Sequence, residues 1–152
     1  MKYLNELLAN FALVNALFAW FIAQIIKFIL TIALMRKLDF KKLIASGGMP
    51  SSHSATVCAL TVSVAITQGL SSVSFAICFV LSFIVMYDAV GVRRSAGEQA
   101  KLLNELILDL MERNAITIDK NLKEILGHTP IEVLIGAIFG IALPFVTKSF
   151  LL

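Results

Sequence analysis

The stretch FALVNALFAWFIAQIIKFILTIALM, residues 11–35, carries a single charge, Lys27. A helix that crosses the hydrocarbon core of a bilayer needs about 20 mostly apolar residues, so this run predicts a transmembrane helix. The rest of the chain has the same character. Of its 152 residues 59% are hydrophobic and 15% charged, against roughly 45–50% and 25% in soluble domains. Shorter apolar runs over about 52–68, 72–88 and 131–147 predict three more spans, and QGLSS at 68–72 predicts a tight turn between the first two of these. The expected fold is an all-α polytopic membrane bundle of about four transmembrane helices, forming one membrane-embedded domain over 1–152. Spans two and three lie near the lower length limit of about 17 residues. A re-entrant helical hairpin is the alternative arrangement for that pair.

Basic residues set the expected orientation. Arg36, Lys37, Lys41 and Lys42 follow the first span, and Arg93, Arg94, Lys101, Arg113, Lys120 and Lys123 follow the third, whereas Lys2 and Lys148 are alone on the opposite side. The positive-inside rule then places both connections in the cytoplasm and both termini outside, as for a protein of a bacterial plasma membrane. The N-terminal MKYLNELLAN lacks the layout of a removable signal peptide, so the first span is expected in the mature protein. Within the insert at about 93–127, Leu103, Leu106, Ile107, Leu110 and Met111 recur at helical spacing in 98–113, which predicts a cytoplasmic amphipathic helix. A second short helix is expected over 119–126, ending at Gly127. A net charge of +3 is too small to indicate a nucleic acid partner and suits a membrane surface. Cys58 and Cys78 sit in apolar runs without paired spacing and read as packing residues.

Three polar islands interrupt this apolar background: SGGMPSSHS at 46–54, YDAVGVRRSAG at 87–97 and GHTPIE at 127–132. All three fall on the same predicted face of the membrane. In the first, Ser51 or Ser52 suits a helix N-cap, and the resulting helix start favours an anion beside His53. In the second, Arg93 and Arg94 are either the ordinary basic flank of a span or phosphate ligands, and Asp88 suits a carboxylate that orients one of them. In the third, Glu132 either closes a capping box with Thr129 or, four residues from His128, fixes that imidazole's tautomer. Lys27 lies about 12 Å along the helix from Met35 at 1.5 Å per residue, a long reach for snorkelling, which favours a position inside the bundle. Two imidazoles beside cations suit phosphoryl transfer, one as nucleophile and one as general acid. No carboxylate cluster suited to magnesium and no zinc spacing is visible, so neither metal nor cofactor is expected.

Together AQIIK, GGMPSSHSA, YDAVGVRRSAGEQA and GHTPIEVLIG closely resemble the divergent branch of the type 2 phosphatidic acid phosphatase superfamily, which also includes vanadium haloperoxidases. The resemblance runs from about residue 19 to 140. It implies His53 as general acid, with Ser51 and Ser52 holding phosphate, and His128 as the nucleophile that forms a phosphohistidine, oriented by Glu132. It implies Arg93 or Arg94 as the phosphate-binding arginine and Lys27 as the first-motif lysine. Ser52 stands where the superfamily has glycine and Glu132 where it has aspartate, and a long insertion separates the arginines from His128. Four spans are fewer than the superfamily's usual six, so a homodimer would complete the bundle. The implied activity is metal-independent hydrolysis of a membrane lipid phosphate or a polyprenyl phosphate or diphosphate. A non-catalytic anion binder or small transporter, and an assembly protein that docks a partner on the 98–113 helix, are the competing functions.

Overall fold

The computed structural model describes residues 1–35, 48–113, 122 and 127–151. Among them the regular structure is entirely helical. The helices are α1 (Lys2–Leu8), α2 (Phe11–Met35), α3 (Ser52–Gln68), α4 (Val73–Val90), α5 (Val92–Glu112) and α6 (Pro130–Leu151). Phe11–Ala33, the α4–α5 unit and α6 are long and apolar enough to cross a membrane. The expected second span, α3, has 17 residues. It is the central helix, packed against α2, α4 and α6. Its hydroxyl-rich sequence SHSATVCALTVSVAITQ reflects that position, because its neighbours, rather than lipid, cover most of it. Residues 36–47, with their four basic side chains, and the short helix expected over 119–126 lie outside the described residues, apart from Leu122.

Small side chains set the packing. Along α2, Phe11, Asn15, Ala19, Ala23 and Lys27 are all buried; their four-residue spacing makes one face of a helix. Ala19 and Ala23 meet Ala55 and Ala59 of α3 and Leu143 of α6 in the core, flanked by Ile22 and Phe139. Gly136 and Gly140 of α6 lie against α3, where an added Cβ would collide with the carbonyl oxygens of Ser51 and Ala55 respectively. In lipid the hydrophobic effect does not drive helices together, so close backbone approach through small residues supplies the attraction. The glycine pair, four residues apart in an apolar run, is the sequence sign of this contact.

Turns and hydrogen bonds fix direction. Gly69 has φ of +83° and Ser72 caps α4 by accepting from the Phe75 N–H, so the QGLSS turn forms as expected. Thr61 and Ser82 share a hydrogen bond of 2.7 Å between α3 and α4. At one end of the bundle Thr147 donates to Asn15 at 2.5 Å. At the other, Ser51 N–H donates to the Glu132 carbonyl at 3.0 Å and His128 N–H to the Ala89 carbonyl at 3.1 Å. Hence α2 and α4 run toward this second end and α3 and α6 run away from it.

The amphipathic helix begins earlier than its sequence pattern indicates. It starts at Val92, directly after Gly91 at the end of α4, so Arg93 and Arg94 belong to its first turn. Among the described helices α5 packs only on α4. Leu122 lies against α5: the Asn104 side chain donates to the Leu122 carbonyl and accepts from the Leu122 N–H, both at 2.9 Å. Gly127 meets the Arg94 backbone, where a Cβ would clash with the amide nitrogen and Cα.

Candidate functional site at the paired helix starts

α3 and α6 start side by side, and each start is capped by its own sequence. Ser51 Oγ accepts the Ser54 N–H at 3.4 Å, which identifies Ser51 as the cap of α3. Thr129 Oγ1 accepts the Glu132 N–H at 3.3 Å while Glu132 Oε2 accepts the Thr129 N–H at 3.1 Å. That is the expected capping box. The same Oε2 also accepts from His128 Nδ1 at 3.1 Å. The two readings of Glu132 left open by the sequence therefore coexist in one carboxylate.

That hydrogen bond has a chemical consequence. A carboxylate only accepts, so Nδ1 carries the proton and Nε2 of His128 keeps its lone pair. Nε2 is buried and has no hydrogen-bond partner, and so is Nδ1 of His53. The two rings lie edge to face with centroids 6.1 Å apart. A small anion about 3 Å from a nitrogen of each ring is within ordinary hydrogen-bond reach of both. Buried polar atoms are nearly always satisfied in native proteins, so two unpartnered nitrogens on neighbouring rings mark a candidate ligand site.

Charges surround the pair. Lys27, although two-thirds of the way along α2, is buried and coupled electrostatically to Glu132. Its stem lies beside Gly48, where a Cβ would sit 3.5 Å from its Cγ. Arg93 Nε donates to Asp88 Oδ2 at 2.5 Å, and Arg93, Asp88 and Lys27 all act electrostatically on His53. His128, 2% exposed, has its pKa pushed below the ordinary imidazole value chiefly by desolvation. The Glu132 hydrogen bond and charge pull it back up, and Lys27 and Arg93 push it down.

The structure thus brings Lys27, Ser51, Ser52, His53, Asp88, Arg93, His128 and Glu132 to one end of the bundle. Arg94 instead turns along α5 to Glu98 at 3.0 Å. The insertion between the arginines and His128 does not separate them in space, because Leu122 and Gly127 lie against α5 and His128 is held to α4 at Ala89. Gly127, expected only to end a helix, is what lets the chain lie against Arg94. Among the described residues no three His, Cys, Asp or Glu side chains gather as metal ligands would.

Fold and site define an integral membrane protein in which two helix starts present a histidine pair among cations. The chain belongs to the Divergent PAP2 family, whose model matches residues 8–143. It is 44% identical to the uncharacterized membrane protein YuiD of Bacillus subtilis (strain 168) over 155 residues, covering 95% of this chain and 98% of that protein. No solved structure matches the chain.

Proposed function

We propose that the chain is a membrane phosphatase that transfers a phosphoryl group from a lipid phosphate or diphosphate to His128. The observation that carries this reading is the unpartnered Nε2 of His128, held 6.1 Å ring to ring from His53 and oriented from behind by Glu132. Membership of the Divergent PAP2 family supports it.

In the proposed reaction the Nε2 lone pair attacks phosphorus. The bond from phosphorus to the leaving oxygen breaks, and that oxygen takes its electron pair and a proton from protonated His53. Glu132 stabilises the imidazolium as it forms. Water then attacks the phosphohistidine, passing one proton to His53, and inorganic phosphate leaves with His128 regenerated. Lys27, Arg93 and the α3 start at Ser51 and Ser52 hold the phosphoryl oxygens, where preorganised donors stabilise developing charge. Asp88 aims Arg93. Arg94, paired with Glu98, contributes charge from a greater distance. By the distribution of basic residues the site opens to the cytoplasm with both termini outside, and a second copy of the chain would supply the helices absent relative to a six-helix core.

Purified protein incubated with a panel of lipid phosphates tests this directly. Phosphate release that is abolished by His128→Ala and His53→Ala, together with acid-labile labelling of His128, supports the enzyme. Saturable anion binding with no release from any substrate would replace it with the reading of a non-catalytic binder.

A further inference from the structure

His128 lies outside α6, which begins at Pro130, so the regular spacing of a helix does not by itself bring the ring to Glu132. Side chains four apart meet when both belong to helical turns. Here the backbone has to turn at Thr129 for Nδ1 to reach Oε2 at 3.1 Å. Thr129 is the N-cap of α6: its Oγ1 accepts the Glu132 N–H at 3.3 Å, and its own N–H donates to Glu132 Oε2 at 3.1 Å. Pro130 follows it, and a residue before proline is pushed toward the extended backbone that an N-cap takes.

The carboxylate needs this hold. The Glu132 side chain is 20% exposed, so water competes for it, and Oε2 is the oxygen that accepts from Thr129 and from His128 alike. The backbone on either side is anchored to other helices: the Glu132 carbonyl accepts the Ser51 N–H at 3.0 Å, and the His128 N–H donates to the Ala89 carbonyl at 3.1 Å. Those contacts set where residues 128 and 132 lie and leave the carboxylate free to swing. The capping box removes that freedom. A carboxylate turned outward would leave Nδ1 without its acceptor, and the ring could then carry its proton on Nε2, which would have no lone pair to offer phosphorus.

We infer that Thr129 is a positioning residue for His128: by closing the first turn of α6 it holds Glu132 on Nδ1 and so keeps Nε2 unprotonated. The inference rests on the phosphatase reading for the attack itself and adds the residue that prepares the attacking nitrogen. Thr129 acts through Glu132, not on the phosphoryl group.

Nitrogen NMR of isotopically labelled histidines in the full chain in detergent, at neutral pH, reads the tautomer, and His128→Ala assigns the signals because the chain has two histidines. In the wild-type chain His128 should show a protonated Nδ1 and a bare Nε2. Thr129→Ala should bring in an Nε2–H signal and lower kcat by about tenfold, the loss expected of one N-cap, with KM within about twofold. Thr129→Ser keeps the hydroxyl and should restore both the tautomer and the rate. Thr129→Gly removes the hydroxyl from a helix start that tolerates glycine nearly as well, and it answers the same question should the alanine variant not fold. A bare Nε2 kept in the alanine or glycine variant, or a serine variant no better than alanine, would overturn the inference. The spectra need no substrate, so a tautomer that follows Thr129 in a chain releasing no phosphate from any lipid would remove the enzyme reading and keep the positioning role.

Discussion

The N–H of Ser51 donates to the carbonyl of Glu132 at 3.0 Å, joining the first turns of α3 and α6. Few side chains permit two helix backbones to come so close, and α6 does so by placing Gly136 against Ser51 and Gly140 against Ala55. Gly136→Leu should therefore push the helix starts apart and destabilise the bundle by about 1–3 kcal/mol, the usual cost of overpacking. Thermal unfolding in detergent checks this. An unchanged midpoint would mean that the two helices are not held by this contact.

How much of this was legible beforehand depends on how local each signal is. The 11–35 span, the QGLSS turn and the Thr129 to Glu132 capping box are written within single turns or single runs, and reading along the chain finds them. Both imidazoles were expected on one face because each lies beside a helix-start signal, His53 just after Ser51 and His128 just before Thr129. The first turns of α5 carry no such signal, because RRSAG at 93–97 has no apolar repeat, yet the helix already runs from Val92. The approach of Leu122 and Gly127 to α5 was hidden for a different reason. It depends on Asn104 meeting Leu122 and Gly127 meeting Arg94, pairings separated by 18 and 33 positions that no local periodicity encodes.

Gly127 offers a test of that approach. An added Cβ would collide with the Arg94 backbone, so Gly127→Ala must lift the chain just before His128. Misplacing a reacting group by about 1 Å costs on the order of a hundredfold in rate. Phosphate release should fall by roughly tenfold to a hundredfold, through kcat more than KM, while the unfolding midpoint moves little. Full activity in this variant would show that the Glu132 and Ala89 contacts position His128 without the close approach of Gly127 to Arg94.

Acid should silence the site. Desolvation lowers the His128 pKa and Glu132 partly restores it, so the ring is neutral at neutral pH and gains its proton only below the ordinary value of about 6.5. Protonation occupies the Nε2 lone pair, so kcat/KM should drop on an acid limb lying below pH 6.5. In Glu132→Gln the restoring contribution is gone, and the limb should shift to still lower pH even as the maximal rate falls. The same linkage makes stability above pH 6.5 independent of this group and lets it decline as pH falls through the lowered pKa, because the unfolded chain then binds the proton more readily. A pH–rate profile of both proteins decides the matter, and an acid limb that moves upward in Glu132→Gln would contradict the assignment.

The two adjacent arginines should behave differently although the sequence treats them alike. Arg93 is fixed by Asp88 at 2.5 Å and its charge acts on both imidazoles. Arg94 is about as exposed as Arg93, 47% against 44%, but it is paired with Glu98 one turn along α5. A phosphoryl group between the histidines would therefore draw on Arg93. Arg93→Ala should weaken inhibition by orthovanadate, a phosphate mimic, by about tenfold or more, the loss expected of one charge-assisted hydrogen bond. Arg93→Lys should restore only part of it, because an ammonium lacks the planar fork that spans carboxylate and phosphate. Asp88→Asn should fall between, since the guanidinium keeps its charge and loses its aim. Arg94→Ala should leave vanadate inhibition within about twofold. If Arg94→Ala proved as damaging as Arg93→Ala, the phosphoryl site would have to lie farther along α5, away from the histidine pair, and the geometry proposed for the reaction would fail with it.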